Sequence, residues 1–156
     1  MSRYAQNTDV SSDRSRVEIE RTLARYGADQ FMYGWQLGSA VIAFRMNSRQ
    51  IRFQLPMPDR TDQEFTETPT GKERAESAIE KAYEQAVRQR WRALALVIKA
   101  KLEAVECGIT EFDEEFLAHI ILPDGQSVGQ FMLPQVEQAY QVGSMPNLLP
   151  APGETK

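Results

Sequence analysis

Cysteine and histidine are almost missing from these 156 residues: Cys107 and His119 are the only ones. A single thiol excludes an intrachain disulfide, and one thiol with one imidazole is too small a set for a zinc site, so no metal is expected. No apolar run approaches the ~18 residues of a membrane-spanning helix, and MSRYAQNTDV lacks the apolar core of a signal peptide. The expectation is therefore a cytoplasmic protein with no membrane partner. Phosphate loops and nucleophile elbows are absent too, since no GxxxxGKS/T, GxGxxG or GxSxG pattern occurs. Positive charge is scarce only in places. Residues 103–156 carry one Lys against nine acids, whereas residues 1–55 carry eight Arg against five acids and residues 56–102 carry nine cations against eight acids. The net charge of −4 hides this asymmetry, which predicts acidic C-terminal segments packed near basic ones and a basic face for an anionic partner.

What is present is the composition of a folded chain, 42% hydrophobic and 26% charged. The expectation is one α+β domain over residues 12–143, with flexible ends at 1–11 and 144–156. Ser12 and Ser15 both offer an N-cap, and Ser15-Arg16-Val17-Glu18 fits a capping box. A first helix is predicted from about Ser12 to Tyr26, ending at Gly27 and burying Ile19, Leu23 and Tyr26. From Phe31 to Leu55 the apolar period becomes two, broken at Leu37-Gly38-Ser39 and Asn47-Ser48-Arg49. That pattern predicts a three-stranded antiparallel meander. Ala40, Ile42, Phe44 and Met46 share a face of its second strand, and Ile51, Phe53 and Leu55 a face of its third. Phe31, Tyr33 and Trp35 share a face of the first strand, on a side that alternation does not decide.

A long central helix is predicted from the Thr70-Gly71-Lys72-Glu73 capping box to Gly108, with no Pro inside. Its small residues recur at Ala75, Ala78, Ala82 and Ala86 in the first half, which suits close approach of another helix and makes self-association through this element an expectation. Residues 56–69 read as a polar, Pro-punctuated loop. Thr110 is expected to cap a short helix over residues 111–120 whose first-turn acids Asp113, Glu114 and Glu115 complement its dipole. Ser127 is expected to cap a last helix over Val128–Val142, stopped by Gly143 and kinked or delayed by Pro134.

No catalytic residue and no cofactor can be named, so the reading is of a non-enzymatic binding protein. The cations are the candidates. Arg45, Arg49 and Arg52 on the strands, with Tyr33 and Trp35 beside them, resemble a sheet that stacks bases and contacts phosphates. Arg88, Arg90 and Arg92 on the long helix extend the set. Arg90 and Lys101 bracket the apolar residues Leu94 and Val97 at i, i+4, i+7 and i+11, which offers either a snorkelling pair bound to Glu111, Asp113, Glu114 or Glu115, or a site for a small anionic nucleotide. Arg14, Arg21 and Arg25, with Glu18 among them, fall on one face of the first helix and read as a solvated face.

Whole phrases of the chain, RYGADQFMYGW, RQIRFQLPMPDR, RQRWRALALVIKAKLEAVECGI, EEFLAHIILPDGQSVGQFMLPQ and MPNLLP, resemble a family of small uncharacterised proteins encoded by bacteriophages and prophages. The resemblance covers Tyr4 to Pro150 and carries no catalytic residues with it. It implies a setting: an accessory protein acting in a bacterial cytoplasm on nucleic acid, or on a host or phage protein. The leading expectation is binding of nucleic acid, single-stranded, through the Arg-bearing and aromatic face. The alternative is a protein-binding inhibitor or adaptor directed at host defence machinery.

Overall fold

The computed structural model describes residues 5–145. In chain order these form helix α1 (Ser12–Arg25), strands β1 (Gln30–Gln36), β2 (Ser39–Met46) and β3 (Arg49–Pro56), the one-turn helix α2 (Gln63–Thr66), the long helix α3 (Glu76–Glu106), the one-turn helix α4 (Phe112–Glu115) with a 3-10 turn at Leu117–His119, and helix α5 (Val128–Val142). The expected α+β order is met: an N-terminal helix, an antiparallel meander in the order β1-β2-β3, a long central helix and shorter C-terminal helices. Of the two expected flexible ends, residues 1–4 and 146–156 lie outside the described residues.

The meander forms where the period of two predicts it, and the alternation is complete on β2, where Ala40, Ile42, Phe44 and Met46 are buried. Asn47 and Ser48 close the second hairpin with φ of 52° and 61°, the type I′ pattern whose twist matches the flanking strands. Ile51 and Phe53 of β3 complete the buried face. Against it lie Trp91, Leu94, Ala95, Ile98 and Leu102 of α3, Ile19 and Leu23 of α1, and Phe112 and Phe116. Phe116 sits edge-on to both Phe44 and Phe53, with centroids 6.1 and 6.3 Å away.

Three helix boundaries differ from the sequence reading. Ser11, not Ser12 or Ser15, caps α1 by accepting the Arg14 amide; Ser15 lies on the stripe of Ile19 and Leu23 and is drawn into the core, where its Oγ has no hydrogen-bond partner. α3 begins at Glu76 rather than Thr70, because residues 66–74 close into a small hairpin instead. There Glu67 bridges Glu73, the Lys72 carbonyl accepts the Thr68 amide, and Gly71 takes φ +84°. The Thr70 hydroxyl meets the Thr68 hydroxyl, so the predicted capping box is not made. The helix expected over 111–120 stops at Glu115, because Ile120 leaves in extended conformation to bridge Ile51 at the edge of β3 and the Ile121 amide binds the Gln50 carbonyl. Thr110 hydrogen-bonds Glu111 and Glu114 and caps nothing.

α3 is 31 residues, about 46 Å at 1.5 Å per residue, and all of its buried residues lie between Trp91 and Leu102. Its first half is partly covered by other parts of the chain. Phe65 of α2 packs edge-on to Tyr83, and Gln85 donates to the carbonyls of Gln6 and Thr8. α1 lies along the second half and runs in the same direction: Arg16 meets Trp91, Glu18 meets Arg92, and the Tyr26 hydroxyl donates to Glu103. α5 forms as predicted, with a Ser127/Gln130 capping box and Gly143 in the left-handed region; it starts at Val128 and continues through Pro134. It seats on the 3-10 turn, where a Cβ on Gly129 would stand 3.0 Å from the Ala118 carbonyl oxygen. No residue of α5 is buried.

Candidate binding surfaces

The register of the meander decides how the expected Arg and aromatic set is divided. Residues opposite one another in an antiparallel pair project to the same face. Tyr33 opposes Ile42 and Trp35 opposes Ala40, so both aromatics project toward α3, on the face that carries the core. Arg45 and Arg52 belong to the other parity and project to the opposite face. Arg49 opposes Met46 at the end of the core-side face and reaches out to Asp113 at 3.0 Å. Tyr33 and Trp35 therefore do not share a surface with Arg45 and Arg52.

The cations of that set are also engaged within the chain. Arg45 grips Asp29 through Nε and one terminal nitrogen, at 2.6 to 3.1 Å, and its guanidinium holds the Asp29 carboxyl below the usual carboxylate range. Arg52 donates to the Gly125 carbonyl and to Gln130 Oε1, which joins β3 to the start of α5. On α3, Arg88 is held by Gln85, Arg92 pairs with Glu18 at 2.5 Å, and Arg90 donates to the Pro56 carbonyl at 3.1 Å. Lys101 pairs with Glu115 Oε1 at 3.1 Å and also reaches the Glu115 carbonyl. Arg90 and Lys101 thus turn to different partners. Lys101 takes one of the four expected carboxylates, whereas Arg90 takes a strand-end carbonyl.

His119 is half-buried, stacked on Phe53 with centroids 4.1 Å apart. Burial, and then the Lys101 ammonium, push its imidazole below its ordinary value, with a bond to the Arg52 backbone acting the other way. Among the described residues no group of three His, Cys, Asp or Glu side chains is placed to hold a metal ion, and no helix is long and apolar enough to cross a membrane.

Three features were not singled out by the sequence. The first is an aromatic cleft of about 680 Å³ where the β1–β2 turn faces α3, walled by Tyr33, Trp35, Tyr83 and Trp91. Tyr33 meets Trp91 edge-on at 5.7 Å, Arg16 lies over the Tyr33 ring at 4.4 Å, and Trp35 is 77% exposed. The second is a groove of about 810 Å³ between α1 and α3 that gathers Arg14, Arg21, Arg25 and Lys99. Its signal was available as three arginines at i, i+7 and i+11 with one acid among them, but the Lys99 contribution needed the parallel packing of two helices far apart in sequence. The third is α5, whose composition alone predicted a helix and whose exposure it did not predict. Phe131, Leu133, Val136, Tyr140 and Val142 are all exposed on it, with Tyr140 at 86%.

No protein-family model matches this chain, and comparison with curated proteins and with solved structures likewise found no match.

Proposed function

We propose that this protein acts by binding another protein, as an inhibitor or adaptor, and that α5 is its docking element. The observation that carries this is the state of α5: fifteen residues with Glu137 as the one charged side chain, no buried residue, and apolar side chains turned outward. Leu133, Val136 and Tyr140 recur at i, i+3 and i+7 and so form one stripe, the spacing with which a helix meets a second helix or a groove. A contiguous exposed apolar stripe of this kind on a folded domain marks an interaction site. The absence of Lys and Arg on α5 fits a protein partner better than a lipid surface, which a membrane-lying helix meets with a basic polar face. Binding of nucleic acid through Arg45, Arg49, Arg52 and Arg88–Arg92 has less to support it, because those cations already have partners within the chain. The setting belongs to the proposal too: an accessory protein of a bacteriophage or prophage, meeting a host or phage protein, as the resemblance of whole phrases implies.

The test is a double variant, Leu133→Asp with Tyr140→Asp, carried through two measurements. Both side chains are exposed, so circular dichroism should be unchanged. The wild type should retain a specific protein from nuclease-treated bacterial lysate and the variant should not. Light scattering on the purified chain shows whether the partner is a second copy. Retention of the same protein by wild type and variant alike would end this reading.

A further inference from the structure

We infer that the groove between α1 and α3 is a binding site for a chain of phosphates, the backbone of a single-stranded nucleic acid. It shares no residue with α5, and its arginines are those the sequence places on a solvated face of the first helix. Arg14, Arg21 and Arg25 stand along one side of α1, and Lys99 faces them from α3. Buried Thr22 and the half-exposed Val17 lie between them.

These four cations are marked by facing one groove together with no acid to hold any of them. Among the described residues no carboxylate lies within ion-pair distance of Arg14, Arg21, Arg25 or Lys99. The acids in and beside the groove are held elsewhere: Asp13 by Arg16 at 2.6 Å, Glu18 by Arg92 at 2.5 Å, and Glu103 by the Tyr26 hydroxyl. Arg25 makes only a cation–π contact, lying 5.9 Å from the Tyr26 ring. Four like charges facing one groove repel one another, and an anion that enters removes that repulsion.

The shape selects among anions. Arg14 and Arg25 are eleven residues apart on one helix, about 16 Å at 1.5 Å per residue, with Arg21 between them. One phosphate reaches one or two of these guanidinium groups, whereas an extended phosphate chain reaches all of them in succession. Each Arg offers the planar fork that grips phosphate oxygens in pairs. No aromatic ring lines this groove, so the recognition is of backbone charge and not of base identity.

The experiment measures binding of the full-length protein to a fluorescent fifteen-residue oligo-dT, to inorganic polyphosphate of similar length and to ATP, all at about 50 mM salt. Two variants with the same change in net charge are compared: Arg21→Glu with Arg25→Glu inside the groove, and Lys72→Glu with Lys81→Glu outside it. The expected result is oligonucleotide binding that weakens at least tenfold in the groove variant and is kept in the control. Its log–log salt slope should be near −3, as about four phosphate contacts on a single strand require. If polyphosphate binds with the same dependence on the groove and oligo-dT does not, the site is upheld and its ligand is a free polyphosphate. The inference is overturned if neither chain binds, if only ATP binds, or if both variants lose binding equally.

Discussion

Ser15 shows how one side chain can be placed against its own preference. It faces the core because α1 buries the stripe that also holds Ile19 and Leu23, and its hydroxyl finds no partner there. A buried hydroxyl without a hydrogen bond costs stability, and serine is a weaker helix former than alanine. Ser15→Ala is therefore expected to stabilise the fold by about 1 kcal/mol, since both effects act in the same direction. The urea midpoint should rise with the slope unchanged; a lower midpoint would mean that the hydroxyl is satisfied after all. The same scale explains what charge and spacing leave out. Charge and spacing identified Arg45, Arg92 and Lys101, but their partners Asp29, Glu18 and Glu115 are 16, 74 and 14 residues away, and only the fold brings them together.

At the scale of elements, α5 is attached through its first turn and little else. Gly129 rests on the Ala118 backbone so closely that a Cβ would meet the carbonyl oxygen at 3.0 Å, and a backbone atom cannot swing aside as a side-chain tip can. Gly129→Val is expected to lift the start of α5 from the 3-10 turn, lowering stability by about 1–3 kcal/mol as overpacking does. Hydrogen exchange should quicken in residues 118–130 and stay slow in the meander. Unchanged exchange there would show that the seat has room. Elements with strong periodicity were legible in advance: the three strands, the Ser127 cap of α5, and the long central helix. The errors came where a local signal competed with pairing. Thr70 and Glu73 satisfy the capping-box pattern, yet their backbone is taken by the 66–74 hairpin, and Ile120 looks helical until β3 offers it an open edge. Of the binding surfaces, the arginines of α1 were visible but their lack of partners was not, because a missing contact has no sequence pattern.

For the molecule as a whole, acid should act in two steps of one sign. His119 titrates lower in the folded chain than its ordinary 6.5, so the unfolded chain binds that proton more readily. Its contribution is complete above about pH 6.5 and is lost as pH falls from there toward the lower folded value. Asp29, Asp59 and Asp124 are held below the ordinary 3.8, by Arg45, by the hydroxyl and amide of Thr61, and by the side chain and amide of Gln126. Their contributions are present above that value and are lost as pH falls through the folded ones. Thermal midpoints should therefore be level just above about pH 7, decline once as pH falls below about 6.5, and decline again below about 4. His119→Asn should abolish the first decline and leave the second. A midpoint that climbs as pH falls below about 6.5 would contradict the assignment.

The parallel packing of α1 on α3 also has a consequence for synthesis. Glu18 and Arg92 are 74 residues apart, and the whole meander is translated between them. At about 5–20 residues per second, α1 leaves the ribosome roughly 4–15 s before the helix segment that will cover Ile19 and Leu23. The hairpins of the meander need only neighbouring residues and close in microseconds, so the nascent chain holds a formed sheet and a segment whose apolar stripe, Ile19 and Leu23, has its partner still inside the tunnel. During that interval the first helix is the part of the chain most open to capture by a chaperone.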